Sequence, residues 1–240
     1  MRFCLSVVLG LMLTCRVNAG ESAEFRACLA QLQDQASARE LSADTVSKVI
    51  PSLEYQARVI ELDRSQPEFT QNFADYFHNR VSVGRIDKGR ELYLDYRVFL
   101  GGLTRVYGVP GQYLVSFWGL ETNFGSYLGG MPTLDSLATL ACDPRRSEFF
   151  TEEFLLALEL MEREGIDVAA MKGSWAGAVG HTQFMPSNYL RFAVDGDDDG
   201  VIDLWSSRRD ALASAANFLN SLGWESEQRW GREVRLPADF

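Results

Sequence analysis

The chain has 240 residues, 33 acidic against 23 basic, and a net charge of −10, which is length enough for one large domain or a domain with a small lobe. The charge argues against nucleic acid as a partner, because an acidic protein gains nothing from counterion release on a phosphate backbone and no basic stripe interleaved with aromatics is visible. An anionic substrate would have to be held by shape, stacking and hydrogen bonds.

Met1-Arg2 precede a mostly apolar run over residues 3–13, and Val17-Asn18-Ala19 puts small residues at the two positions a signal peptidase reads. Residues 1–19 are expected to be a cleaved leader, leaving residues 20–240 as one exported, periplasmic domain. An outer-membrane lipoprotein anchored at Cys15 is the weaker alternative, since Met12-Leu13-Thr14 lacks the small residue wanted just ahead of the cysteine. No later stretch approaches the roughly 20 apolar residues of a transmembrane helix. Cleavage takes the charge to about −12. It also leaves Cys28 and Cys142 as a pair, either joined by a disulfide in an oxidising compartment or buried as free thiols.

Amphipathic helical patterns follow, over residues 24–38 and over 43–50 before Pro51. Residues 55–63 read as a short extended segment. Residues 69–80 read as helical, and 89–107 as one long helix ended by Gly108 and Pro110. Further helices are expected at 111–122, 134–141, 147–164, 186–192 and 209–222, separated by Gly-, Pro- and Asp-rich turns. The fold class is therefore mainly α.

Three motifs carry chemistry. In the helix over 111–122, Leu114, Phe117, Trp118 and Glu121 fall at i, i+3, i+4 and i+7, the spacing of a core-facing stripe. A carboxyl drawn out of water has its pKa raised, as a general acid near neutral pH requires. Glu121 is the catalytic candidate; the bland alternative is a solvated residue where the helix frays toward Gly125.

The second motif, residues 195–203, packs five carboxylates into nine residues. Asp195, Asp197 and Asp199 take loop positions 1, 3 and 5 of an EF-hand, Gly200 position 6 and the Val201 carbonyl position 7, a donor set suited to Ca²⁺. Position 12 is Ser206 rather than Glu, which passes the late ligand to Asp210, with Asp203 as a substitute. Such an ion would fasten a loop. No organic cofactor is expected, and His78 and His181 lack the spacing of zinc ligands.

The third motif, residues 174–189, is rich in glycine and small residues that let backbone approach a ligand. There Gln183 offers an amide donor and acceptor, and Phe184 and Tyr189 offer faces for a sugar ring. A tightly packed helix junction would have the same composition. No Gly-x-Ser-x-Gly elbow of a serine hydrolase occurs anywhere.

Taken together, Gly119 to Gly125, Ser174 to Ser187 and Asp195 to Trp205 resemble, in order and spacing, the signature of MltB-type lytic murein transglycosylases, glycoside hydrolase family 103. The likeness covers most of residues 70–232, including Arg145-Arg146 and residues 217–224. It implies a lysozyme-like α-rich domain that cleaves the β-1,4 MurNAc-GlcNAc bond of peptidoglycan and leaves a 1,6-anhydromuramoyl end. Glu121 corresponds to the family's single acid/base, Ser174 and Gln183 to residues that hydrogen-bond near it, and Tyr76 to an aromatic hydroxyl in the cleft. The resemblance places Asp195, Asp197, Asp199, Val201 and Asp210 around a structural Ca²⁺.

Glycan strands are the implied partner of a monomer that works alone or within cell-wall synthesis or remodelling complexes. Two departures stand out. Phe218 occupies the place of a cleft tyrosine, and relatives continue past the position of Phe240 with a segment that adds cleft residues. Within the same fold, a muramidase that adds water and an inactive peptidoglycan-binding or structural protein are the alternatives.

Overall fold

Helices make up nearly all the regular structure in the computed structural model, which describes residues 14–65, 72–226, 228 and 231–239, with side chains from residue 23 onward. In chain order these are α1 (Thr14–Ala38), α2 (Ile50–Ser52), α3 (Ala57–Arg64), α4 (Phe73–Arg80), α5 (Val83–Asp95), α6 (Arg97–Tyr107) and α7 (Gly111–Thr122). Then come β1 (Met131–Pro132), α8 (Thr133–Ala141), α9 (Ser147–Glu164), β2 (Lys172–Gly173), α10 (Pro186–Phe192) and α11 (Arg208–Ser221). Most of the expected leader, residues 1–13, and the Cys15 side chain lie outside the described residues. From Thr14 the backbone is already helical and runs through residue 19 as the start of α1.

The chain divides into two units. One is built from residues up to 70, 129–179 and 184–190, the other from 71–128, 180–183 and 191–240. In the first, α8 is buried at every position except Asp135, as expected of a helix without a polar face. Helix α9 covers it with Phe150, Phe154, Leu158 and Met161, all buried. The two-residue ribbon β1-β2 pairs Met131 with Gly173 and Pro132 with Lys172. Cys28 of α1 and Cys142 at the end of α8 form a disulfide, which settles the alternative left open by the sequence. Asp63, buried at the end of α3, binds Arg145 and Arg146. Burial raises its pKa, but the hydrogen bonds and charges of the two arginines outweigh this and hold it below the ordinary aspartate value.

In the second unit Leu100, Leu103, Leu114, Val115, Trp118 and Leu212 form the core that α5, α6, α7 and α11 share. Helix α4 starts at Phe73, where the Asn72 side chain caps it by accepting the Asp75 N–H at 3.0 Å. Residues 69–71 of the expected helix lie outside the described residues.

Two expectations need correction. Residues 57–64 are helical rather than extended: Val59 and Asp63, at i and i+4, are the buried face of α3. The single helix expected over 89–107 is two helices, beginning at Val83, where Ser82 caps α5. They part at Tyr96 (φ −94°, ψ 5°). The break turns the Tyr96 ring edge-on to Trp118, at 6.1 Å between centroids.

Candidate functional site around the end of helix 7

Helix α7 buries Gly111, Leu114, Val115, Trp118, Gly119 and Thr122, so the buried stripe ends on Thr122. Phe117 is half-buried, and Glu121 flanks the stripe with its surface exposed. The reading of Glu121 as a core-facing position is thus corrected by one step around the helix. Its chemistry is nonetheless perturbed. Desolvation by the surrounding protein raises the pKa of the carboxyl above the ordinary glutamate value, and the positive charge of Arg80 opposes that rise without cancelling it. Among the described residues no carboxylate acts on its titration, and Glu121 makes no hydrogen bond or ion pair.

Its neighbours make the bonds instead. The Trp118 indole N–H donates to His181 Nδ1 at 3.1 Å, and the Thr122 hydroxyl donates to the His181 carbonyl at 2.8 Å. Nδ1 accepts only when unprotonated, which puts the proton of the neutral ring on Nε2. Burial lowers the His181 pKa, the charge of Arg208 lowers it further, and Asp203 acts the other way; the balance favours the neutral ring that the network needs.

Beyond α7 three consecutive residues, Asn123, Phe124 and Gly125, have positive φ (49°, 59° and 78°). This reversal follows Glu121 at once, the kind of backbone strain that collects at functional sites. Arg85 Nε donates to Asn123 Oδ1 at 3.1 Å, and the Gly125 N–H donates to Thr122 Oγ1 at 3.0 Å. The Phe124 ring lies over Gly119 and Gly89. Gly125 itself faces the His181 ring so closely that a Cβ there would stand 2.1 Å from Cε1.

The second unit also holds Tyr76, Gln183 and the acidic loop. Tyr76 is 39% exposed on α4, with the Arg80 guanidinium 5.5 Å from its ring centroid, so one cation touches both Tyr76 and the field at Glu121. Gln183 donates through Nε2 to the carbonyls of Leu128 at 3.1 Å and Gly180 at 2.9 Å. Its amide donor is therefore spent on the backbone, and Oε1 is the part left for a ligand. Phe218 stacks edge-on against Phe192 at 5.3 Å.

Ser174, Phe184 and Tyr189 belong to the first unit. The Ser174 Oγ accepts the Ala178 N–H at 3.1 Å and closes a tight turn. Phe184 and Tyr189 are 2% and 0% exposed, so neither ring offers a face to a sugar. Their aromatic surface is core packing, which is what the junction reading of this motif expected.

In the acidic loop, carboxylate oxygens of Asp195, Asp197 and Asp210 all lie within 4.8 Å of one another. Asp195 Oδ2 accepts the Gly200 N–H at 2.7 Å, and such backbone bonds hold its pKa below the ordinary value. Asp210 is buried, and desolvation raises its pKa against the N–H bonds it accepts from Asp203 and Gly196. Asp199 turns to the Val201 N–H at 2.8 Å. Asp203 is engaged by the N–H groups of Trp205 and Ser206, so Asp210 and not Asp203 joins the cluster. A converging set of carboxylates fits a hard divalent ion.

Sequence reasoning passed over Arg80, His181 as the partner of Trp118 and Thr122, and Asp63 as the partner of Arg145 and Arg146. His181 lay inside a motif already singled out, but its role depends on contacts no spacing reveals.

Residues 24–240 match the family described as Transglycosylase SLT domain. The chain is 39% identical over 145 residues to membrane-bound lytic murein transglycosylase B of Escherichia coli, a stretch covering 60% of this chain and 40% of that protein. It is similar to SltB3 of Pseudomonas aeruginosa, whose structure was solved with NAG-NAM-pentapeptide, at a TM-score of 0.84 and 39% identity, covering 90% of this chain and 58% of that one. It is also similar to the lytic transglycosylase Slt35 of E. coli, solved with calcium, at a TM-score of 0.76 and 32% identity, over 84% of this chain and 65% of that one. These likenesses extend to a lysozyme-like, mainly α fold. The chain spans less than two thirds of the length of each of these relatives.

Proposed function

Because the chain belongs to the transglycosylase SLT domain family, we propose that it is a lytic transglycosylase of peptidoglycan, with Glu121 as its lone acid/base. The observation that carries this reading is the state of that carboxyl: raised in pKa by desolvation and, among the described residues, opposed only by Arg80 and without a hydrogen bond or ion pair. In its acid form that carboxyl donates to the glycosidic oxygen between MurNAc and GlcNAc, so that the C1–O bond breaks as the proton arrives. The carboxylate that results then accepts the proton of the muramoyl C6 hydroxyl, whose oxygen bonds to C1 and closes the 1,6-anhydro ring. No water enters, and Glu121 ends protonated as it began.

Hydrolysis by a carboxylate pair would set a second acid within about 5–9 Å; among the described residues only the Arg80 charge acts on the Glu121 carboxyl. Arg80 favours the carboxylate form needed in the second half-step, while desolvation favours the acid needed in the first. Tyr76, Ser174 and Gln183 are the polar groups we assign to substrate, Gln183 through its amide oxygen.

Calcium is proposed for Asp195, Asp197 and Asp210, joined by Asp199 and the Val201 carbonyl, as a fastener of the loop between α10 and α11. Residues 1–19 are proposed as a leader and the periplasm as the location; the disulfide suits an oxidising compartment. No helix among the described residues is long and apolar enough to cross a membrane. Glycan strands are the proposed partner of a monomer, alone or in a cell-wall assembly.

Incubation with murein sacculi, read by mass spectrometry, tests the reaction. Anhydromuropeptides support it, reducing ends point to a muramidase, and binding without products points to a structural protein. Full activity in a folded Glu121→Gln variant would overturn the assignment of the acid.

A further inference from the structure

The turn that follows Glu121 opens onto a cavity of about 560 Å³. Asn123 and Ser126 of the turn, Ser82, Arg85 and Lys88 at the start of α5, and Arg208 are among the residues that line it. Among the described residues three cations and no carboxylate line it, in a chain whose net charge is −10.

The guanidinium groups are held in place by neutral partners. Arg85 donates through Nε to Asn123 Oδ1 and through Nη1 to the Arg80 carbonyl. Arg208 lies 5.8 Å from the centroid of the Trp118 ring. Lys88 reaches Glu91 at 3.1 Å, but both are half or more exposed, and such a pair is worth little. Ser82 Oγ accepts the Arg85 N–H and Ser126 Oγ accepts from Asn123 Nδ2, which leaves both hydroxyl protons to be donated. Like charges fixed around an empty space, with no acid among them, create a strong positive potential. Planar guanidinium forks and hydroxyls match a carboxylate.

We propose that this pocket takes a carboxylate of the peptide stem carried by muramic acid, making it a peptide subsite of the transglycosylase reading on which the proposal rests. N-acetylated sugars are uncharged, so the anionic groups of the polymer sit on its stems. The pocket begins two residues after Glu121 in sequence, and its volume of about 560 Å³ accommodates a residue or two of peptide. Local positive charge then solves the problem posed by an acidic protein on an anionic polymer.

The test compares two substrates, peptide-bearing murein and the same glycan stripped of its stems by an amidase. Lys88→Glu and Lys88→Gln are expected to raise KM about tenfold on the first, the worth of one charge-assisted hydrogen bond, with kcat within about twofold. On stripped glycan both should match the parent, and Lys88→Arg should recover most of the loss. Equal losses on both substrates, or no loss on either, would overturn the proposal. Failure of the parent protein to turn over either substrate would sink the transglycosylase reading instead. Titration with a free muramoyl tripeptide then decides the pocket: it must bind the parent more tightly than Lys88→Glu, and equal binding would refute the subsite.

Discussion

Replacing Gly125 by alanine tests whether the end of α7 is held by the Trp118–His181–Thr122 network. At φ +78° the new side chain meets a left-handed backbone, which costs an L-residue about 1–2 kcal/mol. Its Cβ would also lie 2.1 Å from Cε1 and 2.3 Å from Nδ1 of His181. The ring has to move by about an ångström, which carries Nδ1 away from the Trp118 indole and leaves a buried N–H unpaired, a further cost of about 1–3 kcal/mol. Gly108→Ala is the control, because Gly108 has φ +72° but nothing within 4 Å of its would-be Cβ, so only the backbone cost applies.

At roughly 2–4 °C per kcal/mol for a chain of this size, Gly125→Ala should lower the melting temperature by about 10 °C and Gly108→Ala by about 4 °C. Calorimetry measures both, and turnover of murein should fall further in the first variant because the turn after Glu121 shifts with the ring. Equal drops in melting temperature would refute the network as the anchor and leave backbone conformation as the whole effect.

Reducing the Cys28–Cys142 disulfide, or replacing both cysteines by serine, reopens a span of 114 residues and should cost about 2–5 kcal/mol; an unchanged denaturation midpoint with and without dithiothreitol would contradict this. Calcium at a hundred times its Kd should add about 2.7 kcal/mol of stability, so melting curves that coincide in chelator and in calcium would exclude the loop as a site. Asp63 has a depressed folded pKa, so its stabilisation is full above the unfolded aspartate value and lost as pH falls through the lower folded one. Urea midpoints of the parent and Asp63→Asn should therefore converge toward acid and separate toward neutrality, and parallel curves would deny the linkage. The Glu121 pKa is raised, so kcat/KM should fall as pH rises through a value above that of an ordinary glutamate; a profile flat across that range would show that another group supplies the proton.

Helix type and order were legible from apolar periodicity because α8, α9 and α11 each bury a wide face, and the expected bounds of 147–164 and 186–192 agree with α9 and α10. Residues 57–64 misled because only Val59 and Asp63 of α3 are buried, too few apolar positions to show a period. The break at Tyr96 was invisible because the backbone bonds continue across it, Tyr96 N–H to Leu92 and Leu100 N–H to Tyr96, and no Gly or Pro marks the point. The site was legible in its chemistry-bearing residues but not in their partners. Phe184 and Tyr189 look like sugar platforms by type, and only packing assigns them to a core. Arg80 is about forty residues from Glu121 in sequence, and no motif joins them.

Glu121 combines two properties that usually exclude each other, contact with solvent and a perturbed carboxyl. Its position on α7 reconciles them. Buried Trp118 and Thr122, three residues before it and one after, bond to His181, and the left-handed turn at 123–125 folds back over Gly119. The helix end is thereby fixed without using the glutamate. The protein crowded around that end desolvates the carboxyl, while among the described residues nothing bonds to its oxygens and its outer surface stays open. A carboxyl on the buried stripe itself, where the periodicity first put it, would be perturbed further but closed to any glycosidic oxygen. On the proposed reading, one step around the helix leaves the carboxyl desolvated enough to raise its pKa and exposed enough to reach a glycosidic oxygen, while Arg80 opposes the rise.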